Sequence, residues 1–221
     1  FYPVIPDSVG GKTAFSKLNS GAWSLYGANT FTGVATVTAG SLNLYNVNAL
    51  AGVAKVVVLG TLFINTYAFT KPIELQGGVL HGSTAASVSA ITLTASNSII
   101  QSSGYSQTFS VGEISDGGNG YGVTIGGSGT VVLTGANTYS GGTTVNAGTL
   151  FSGAGSENTT VFGSGALTVN SGATLWLDRA TLANDLVLNN ATLQGTNGFG
   201  EVLNGNISLT GVNNIVNYYY M

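Results

Sequence analysis

The stretch that decides the fold is Gly127-Ser-Gly-Thr-Val-Val-Leu-Thr-Gly-Ala-Asn-Thr-Tyr-Ser-Gly-Gly-Thr-Thr-Val-Asn-Ala-Gly-Thr-Leu150. It contains short runs, Thr130–Leu133, Thr143–Val145 and Thr149–Leu150, in which apolar and polar residues partly alternate, a pattern typical of strands. Glycine and asparagine fill the gaps and favour turns. The runs follow one another too closely for long antiparallel strands. They indicate a solenoid in which each coil pairs with the coils above and below it.

The same motif occurs twice in the chain. Gly27-Ala-Asn-Thr-Phe-Thr-Gly33 matches Gly135-Ala-Asn-Thr-Tyr-Ser-Gly141 at an offset of 108 residues. Later matches keep the same order while the offset grows to 113 and then 116: Leu62–Ile64 with Leu175–Leu177, Ile73 with Leu186, and Ile91–Thr94 with Ile207–Thr210. The sequence therefore predicts a tandem duplication of a unit of about 110 residues.

These repeats predict an all-β fold, a parallel β-helix (β-solenoid). With roughly 20–25 residues per coil and ~4.8 Å between coils, the chain gives about ten coils and a rod about 50 Å long. Two β-sandwiches of about 110 residues each are the structural alternative. We divide the chain into an N-terminal extended segment (1–20), a first β-helix unit (21–112), a Gly-rich connection (113–126) and a second β-helix unit (127–221).

The composition excludes several classes of function. Charged residues make up only 6% of the chain, and the net charge is −3. The scattered basic residues cannot form the stripe that nucleic acid requires: Lys12, Lys17, Lys55, Lys71 and Arg179. Cysteine is absent, which rules out disulfides and thiolate metal sites and fits export through an oxidising compartment. The most apolar stretch, Val53–Ile64, is too short to span a bilayer, so we expect no membrane insertion.

Residues 127–150 resemble the passenger-associated transport repeat of bacterial autotransporters. The positions that carry the resemblance are Leu133, Gly135, Asn137, Thr138, Tyr139, Gly141, Thr144, Val145, Gly148 and Leu150. In the first copy, Gly21–Leu42, they are Gly27, Asn29, Phe31, Gly33, Gly40 and Leu42. The resemblance implies a right-handed parallel β-helix that is exported across the outer membrane and displayed at, or released from, the cell surface.

The motif residues also have folding roles that follow from their own chemistry. Gly135 and Gly141 permit positive φ at corners, and Asn137 can cap a turn or join an amide ladder. Tyr139 and Phe31 are expected to pack inward or against a neighbouring coil. We therefore interpret the motif as structural and predict no catalytic residue, cofactor or metal.

Few residues are candidates for catalysis. His81 is the only histidine, and the second copy has Gln194 in its place, so we interpret it as a turn residue. Many β-helix enzymes act on polysaccharides with paired carboxylates, and Asp178 and Asp185 are the candidate pair on neighbouring coils. Their counterparts in the first unit are Asn65 and Pro72, which favours solvated turn carboxylates over a catalytic pair.

Two further patterns suggest binding sites weakly. Glu113–Gly122 combines acidic residues and glycine as calcium loops do, but it lacks their Asp spacing, so a linker is the better interpretation. Regular arrays of Thr-x-Thr could form a flat ice-binding face. The pattern occurs here only at Thr36-Val-Thr38 and Thr92-Leu-Thr94, and two isolated cases are expected in any Thr-rich β protein.

The two ends are candidates for assembly. Apolar and aromatic residues lie there, and we single out Phe1, Tyr2, Tyr218, Tyr219 and Tyr220. No charged capping helix is predicted, although terminal coils of a solenoid need to be covered.

The sequence thus favours a non-catalytic structural or adhesive segment of a bacterial surface protein, a stalk or fibre subunit, located extracellularly or at the cell surface. The expected partners are further β-helix coils or other copies of the chain, and surface glycans. A filament subunit joined through its ends and a carbohydrate-active β-helix enzyme are the alternatives.

Overall fold

The computed structural model of the protein describes residues 2, 4–65, 67–104, 106–153, 159–196 and 200–218, with backbone only for 217 and 218. Its regular elements are all strands, and within those ranges no helix occurs. Most strands are only two to five residues long because a corner, usually containing glycine or asparagine, follows the apolar run.

Two large sheets contain nearly all of the strands. The first sheet consists of β1 (Phe15–Lys17), β3 (Ala35–Val37), β5 (Val56–Val58), β7 (Ala68–Phe69), β8 (Ile73–Gln76), β10 (Ser87–Ala95), β12 (Thr108–Ser115), β14 (Thr130–Leu133), β16 (Thr149–Phe151), β18 (Thr174–Leu177), β21 (Thr192–Thr196) and β24 (Asn214–Tyr218). The second sheet consists of β2 (Ala22–Leu25), β4 (Ser41–Leu44), β6 (Thr61–Ile64), β9 (Val79–Gly82), β11 (Ser98–Ser102), β13 (Val123–Gly127), β15 (Thr143–Val145), β17 (Leu167–Val169), β20 (Leu186–Asn189) and β23 (Ile207–Thr210). A small third sheet pairs β19 (Thr181–Leu182) with β22 (Val202–Leu203).

The chain alternates between the two large sheets and forms about ten coils. Each strand pairs in parallel with the equivalent strand one coil later, as β3 does with β5 and β4 with β6. The step between paired residues varies from 17, for Val56 and Ile73, to 25, for Thr149 and Thr174. The predicted parallel β-solenoid is confirmed, and the two-sandwich alternative is wrong because the ladders are parallel and continuous.

The core lies between the two large sheets. Inward side chains stack in columns along the solenoid, as Val37, Val58 and Leu75 do, each fully buried and in register with the next. Each such aliphatic side chain contributes about 1.5–3 kcal/mol by burial. Outward positions in the same strands are partly exposed, which is the period-two alternation read from the sequence.

The two units lie half a coil out of phase. β2 belongs to the second sheet, whereas its sequence equivalent β14 belongs to the first sheet. β6 and β18 differ in the same way, as do β10 and β23. The duplication therefore spans five and a half coils, and equivalent residues lie on opposite sides of the rod. Both sheets continue through residues 113–126, so the four-segment division stays a prediction about the sequence.

Candidate functional site

The two motif copies form equivalent corners. We call residues 27–33 the first corner, which joins β2 to β3, and residues 135–141 the second corner, which joins β14 to β15. Because the units are half a coil out of phase, the two corners lie on opposite edges of the solenoid. Phe31 and Tyr139 are fully buried in them, and Leu42 and Leu150 are fully buried in the strands that follow. Thr138 has an exposed side chain, and its N–H donates to the Ile114 carbonyl at 2.9 Å.

A buried asparagine joins three successive coils at each corner. The Asn29 Oδ1 accepts the Ile5 N–H of the preceding coil at 2.9 Å, and its Nδ2 donates to the Ala49 carbonyl of the following coil at 2.8 Å. Asn137 repeats this arrangement with the Ile114 N–H, at 2.7 Å, and the Val161 carbonyl. Both amides also donate to the carbonyl two residues earlier, that of Gly27 or Gly135. These side chains satisfy corner backbone groups that would otherwise be buried without partners.

A carboxylate of the preceding coil accepts hydrogen bonds from the hydroxyl residue of each corner. Asp7 accepts the Thr32 N–H at 2.8 Å and the Thr32 hydroxyl at 2.7 Å. Asp116 accepts the Ser140 N–H at 3.2 Å and the Ser140 hydroxyl at 2.9 Å. Thr32 and Ser140 are equivalent in the repeat, so the two contacts are equivalent too. We call Asp7 and Asp116 the latch carboxylates.

The latch carboxylates were not predicted from the sequence. Asp116 was assigned to a linker, and Asp7 was not singled out. A signal was present, since Ile5-Pro-Asp7 and Ile114-Ser-Asp116 both place Ile-x-Asp ahead of the motif asparagine, at an offset of 109 residues. The equivalence of the two units therefore begins upstream of Gly21 and Gly127, at Ile5 and Ile114.

Hydrogen bonds lower the pKa of both latch carboxylates. The Thr13 N–H, followed by the hydroxyl and N–H of Thr32, lowers the pKa of Asp7 below its ordinary value. Burial is the largest single influence on the pKa of Asp116 and acts to raise it, but the hydrogen bonds from Gly118, Ser140 and Gly120 outweigh burial and lower the pKa.

The backbone N–H groups of Gly118, Gly120 and Tyr121 donate hydrogen bonds to the Asp116 carboxylate, and Asp116 is only 1% exposed. That arrangement is the opposite of the oxygen cage that calcium requires. Across the described ranges, no group of three or more His, Cys, Asp or Glu residues could hold a metal ion.

The corner glycines are needed because the neighbouring coil leaves no room for a side chain, and not because the backbone has positive φ. We predicted positive φ for Gly135 and Gly141, and that was wrong, because neither residue has it. A Cβ on Gly141 would instead lie 2.3 Å from the Gly120 carbonyl oxygen, and one on Gly33 would lie 2.3 Å from the Thr13 carbonyl oxygen. Positive φ occurs at Gly142, directly after the second corner, with φ of 88°, and at the next corner, where the equivalent Gly40 and Gly148 have φ of 65° and 69°.

The aromatic residue of each corner and the residue four places later are either both hydroxyl-bearing or both apolar. The Tyr139 hydroxyl hydrogen-bonds to Thr143 Oγ1, which donates to the Phe162 carbonyl at 3.1 Å. Burial raises the pKa of Tyr139. In the first corner the pair is Phe31 and Ala35, both fully buried. This pair therefore has neither the tyrosine hydroxyl nor the threonine hydroxyl that it would bond.

A third buried asparagine was also missed. Asn184 lies just before β20 and donates to the carbonyls of Gly163 at 3.0 Å and Gly165 at 2.6 Å, one coil earlier. It lies outside the motif, so no sequence signal distinguishes it from the many surface asparagines.

Aromatic side chains form a row along one edge of the N-terminal segment and the first unit, exposed at its tyrosines and half-buried at Phe63 and His81. We call Tyr2, Tyr26, Tyr45, Phe63 and His81 the aromatic ladder. The rings of Tyr2 and Tyr26 stack at 4.8 Å between centroids, and those of Tyr26 and Tyr45 at 4.9 Å. Phe63 then meets His81 edge-on at 4.8 Å.

His81 therefore belongs to the wall of the rod. Its Nε2 lies 2.6 Å from Ser103 Oγ, its Nδ1 lies 3.3 Å from Gln101 Nε2, and burial lowers its pKa.

Threonines form a row on the outer face of the first sheet, from the end of the first unit through the second unit. We call Thr108, Thr130, Thr149, Thr174 and Thr192 the threonine row, because each is in register with the next along the first sheet. The neighbouring outward row contains Val132, Phe151, Trp176 and Gln194, with Phe151 and Trp176 stacked at 4.3 Å. Neither row carries a charge. Thr36 and Thr92, from the Thr-x-Thr patterns, have no threonine in register on either side.

The candidate catalytic carboxylates do not lie on neighbouring coils. Asp178 precedes β19 and Asp185 follows it on the same coil, so β19 lies between them. Asp178 lies 3.6 Å from Arg179 Nε, and Asp185 accepts the Asn206 N–H at 2.8 Å.

The candidate assembly ends are only partly described. Phe1, Tyr219 and Tyr220 lie outside the described residues, and Tyr218 contributes backbone to β24. Tyr2 is exposed and stacks on Tyr26. In the part of the chain that the structure describes, no helix is long and apolar enough to cross a membrane.

The comparisons with known proteins point to the corners. A family model for the passenger-associated transport repeat matches residues 15–44 and 126–150, which contain the first and the second corner. Most of the chain lies outside these matches. A search of curated proteins and a search of solved structures found no match.

Proposed function

We propose that this chain is a non-catalytic structural and adhesive element of the bacterial cell surface. The proposal starts from its being an autotransporter passenger-like repeat protein built as a β-solenoid. Its repeats are those of exported passengers, and we extend that property to this chain. In this proposal the rod acts as a stalk that holds uncharged outer rows away from the cell.

The observation that carries the structural role is how the motif uses its polar groups. Asn29, Asn137, Asp7 and Asp116 all connect one coil to the next, and Asn137 and Asp116 are almost fully buried. These contacts resist separation of the coils because breaking one leaves buried backbone groups without partners. A motif built in this way supports rigidity rather than turnover.

The adhesive role rests on the threonine row. Its five hydroxyls repeat about every 4.8 Å along a flat sheet and can both donate and accept hydrogen bonds. The adjacent row of Phe151 and Trp176 adds apolar surface. Since neither row carries a charge, the ligand that fits best is a neutral glycan, which offers many hydroxyls and no charge.

The carbohydrate-active alternative gains no support from the positions of Asp178 and Asp185, which bind separate partners. Sustained release of reducing ends from a polysaccharide, abolished by Asp178→Ala and by Asp185→Ala, would replace the proposal with that alternative.

Display at the surface is tested on intact cells of the producing bacterium. Antibody raised against the purified chain is expected to label unpermeabilised cells, and external protease is expected to remove the label. Labelling only after permeabilisation would overturn the proposed location.

Adhesion is tested by retention on immobilised neutral polysaccharides. Thr149→Val with Thr174→Val removes two hydroxyls of the threonine row while keeping the β-branched shape. The matched control, Thr124→Val with Thr144→Val, removes two outward, in-register hydroxyls from the second sheet. The first variant is expected to lose retention and the control to keep it. Equal behaviour of the two variants would refute the role of the threonine row.

A further inference from the structure

We infer that a cavity on the side of the first unit binds a hexuronic acid unit of an acidic polysaccharide, with Lys71 as the group that pairs with its carboxylate. We call it the Lys71 cavity. It is separate from the threonine row and takes a ligand of different charge. The inference therefore goes beyond the proposed function, and it holds whether or not the threonine row binds a glycan.

The Lys71 cavity lies between two successive coils. Its volume is about 270 Å³, and its walls come from residues 47–51, between β4 and β5, and from residues 68–71, in and after β7. Leu50 and Phe69 are buried and give it an apolar side, whereas Asn48 and Thr70 are exposed at its polar side. Pockets for drug-sized ligands span about 300–1,000 Å³, so a cavity just below that range fits one sugar ring.

Lys71 brings a positive charge to this cavity that the fold does not use. The other four basic residues each interact with a carboxylate or with carbonyl groups: Lys55 with Glu74 at 2.6 Å, Arg179 with Asp178 at 3.6 Å, Lys12 with Asp7, and Lys17 with the carbonyls of Leu18, Asn19 and Ala39. Lys71 is half-buried, and among the described residues its Nζ has neither a hydrogen-bond partner nor an ion pair. An anion in the cavity would supply that partner.

The second unit shows what a purely structural residue does at this position. At the offset of 113 residues, which also aligns β7 with β19, Lys71 corresponds to Asn184. Asn184 is buried and donates to the carbonyls of Gly163 at 3.0 Å and Gly165 at 2.6 Å, which joins two coils. Lys71 makes no such joint. The first unit therefore has an unpaired cation beside a cavity where the second unit has two hydrogen bonds between coils, and ligand binding accounts for that exchange where folding does not.

The charge of the ligand follows from the single ammonium group. A carboxylate carries one negative charge and matches one lysine, which acts as a compact point charge. A phosphate monoester carries about −1.5 to −2 charges at pH 7 and needs more donors than one ammonium group supplies. The cavity therefore favours a carboxylate.

The rest of the ligand follows from the two sides of the cavity. A sugar ring has an apolar C–H face that can pack on Leu50 and Phe69, and hydroxyls that can bond to Asn48 and Thr70. A hexuronic acid combines this ring with a carboxylate. N-Acetylneuraminic acid has the same groups but also carries a glycerol and an acetamido substituent, which need more room than one ring.

The test titrates the isotope-labelled full chain with methyl glucuronide and follows the backbone amide signals by NMR. The signals of residues 47–51 and 68–71 are expected to shift saturably, and added salt should weaken the binding because it screens the ion pair. Methyl glucoside, which lacks the carboxylate, and acetate, which lacks the ring, are expected to shift them little. Acetate as effective as the glucuronide would overturn the sugar assignment, and tighter binding of N-acetylneuraminic acid would overturn the hexuronic acid. No shift with any probe would overturn the site.

A pair of lysine variants assigns the binding to Lys71. Lys71→Gln removes the charge and is expected to weaken glucuronide binding at least about tenfold. The matched control, Lys12→Gln, removes an exposed lysine away from the cavity and should leave the affinity unchanged. Both variants should unfold at the midpoint of the natural chain, since neither side chain is fully buried. A lower midpoint for Lys71→Gln alone would mark Lys71 as structural and overturn the inference. The threonine-row variants should not alter these shifts, so this inference and the proposed function fail separately.

Discussion

Replacing Asn137 with alanine tests the mechanical account of the motif. The substitution leaves the Ile114 N–H without its acceptor, inside a residue that is fully buried. An orphaned buried N–H costs about 1–3 kcal/mol. The carbonyls of Gly135 and Val161 each lose one donor, worth about 1 kcal/mol apiece. We therefore expect Asn137→Ala to lower the free energy of unfolding by about 3–5 kcal/mol.

Two matched substitutions show whether the loss belongs to the corner. Asn29→Ala removes the equivalent contacts in the first unit and is expected to cost a similar amount. Asn146→Ala removes an exposed asparagine whose Oδ1 accepts one side-chain hydrogen bond, and it is expected to cost less than about 0.5 kcal/mol. The assay is guanidinium unfolding followed by circular dichroism, with a constant m value required for the comparison. A loss at Asn137 no larger than that at Asn146 would refute the reasoning.

Three further predictions follow from the same contacts. Thr143→Ala strands the buried Tyr139 hydroxyl, so adding Tyr139→Phe should recover about 1 kcal/mol in a double-mutant cycle; a zero coupling energy would contradict the pairing. The pKa of Asp116 is lowered below 3.8 in the folded protein, so its stabilising contribution is complete above the unfolded pKa and is lost as pH falls through the folded value. Tm measured between pH 6 and pH 2 should therefore fall less steeply at the acid end in Asp116→Asn, and an unchanged slope would contradict this. Gly141→Ala is expected to cost more than about 2 kcal/mol through its clash with a carbonyl, whereas Gly21→Ala, with open space around it, should be nearly neutral; equal unfolding midpoints would refute the close-approach explanation.

The general architecture was predictable because the determinants are local. Apolar runs of two to four residues, separated by glycine and asparagine, limit each strand to a short length and force a turn after it. The matches at offsets of 108, 113 and 116 residues then require one structure to be used twice. Parallel pairing of neighbouring coils follows, because successive short strands that turn in the same sense stack in register.

The phase between the units was not predictable from the sequence. Coil steps vary between 17 and 25 residues, so an offset of 108 is compatible with either five or five and a half coils. The latch carboxylates were missed for a related reason. Asp116 lies 24 residues before Ser140, and only the coil geometry brings the two together. The corner glycines were predicted at the correct positions with the wrong cause, since close approach between coils leaves no local trace in sequence.

The half-coil phase explains how one motif serves both edges of the rod. A coil has two halves, each a short strand followed by a corner, and the backbone hydrogen bonds around β1 and β13 match although these strands lie in different sheets. A unit can therefore be joined to the rod at either half without changing the contacts of its corners. The residues that carry these contacts in both units, Asn29 with Asn137 and Asp7 with Asp116, are therefore the joints between neighbouring coils.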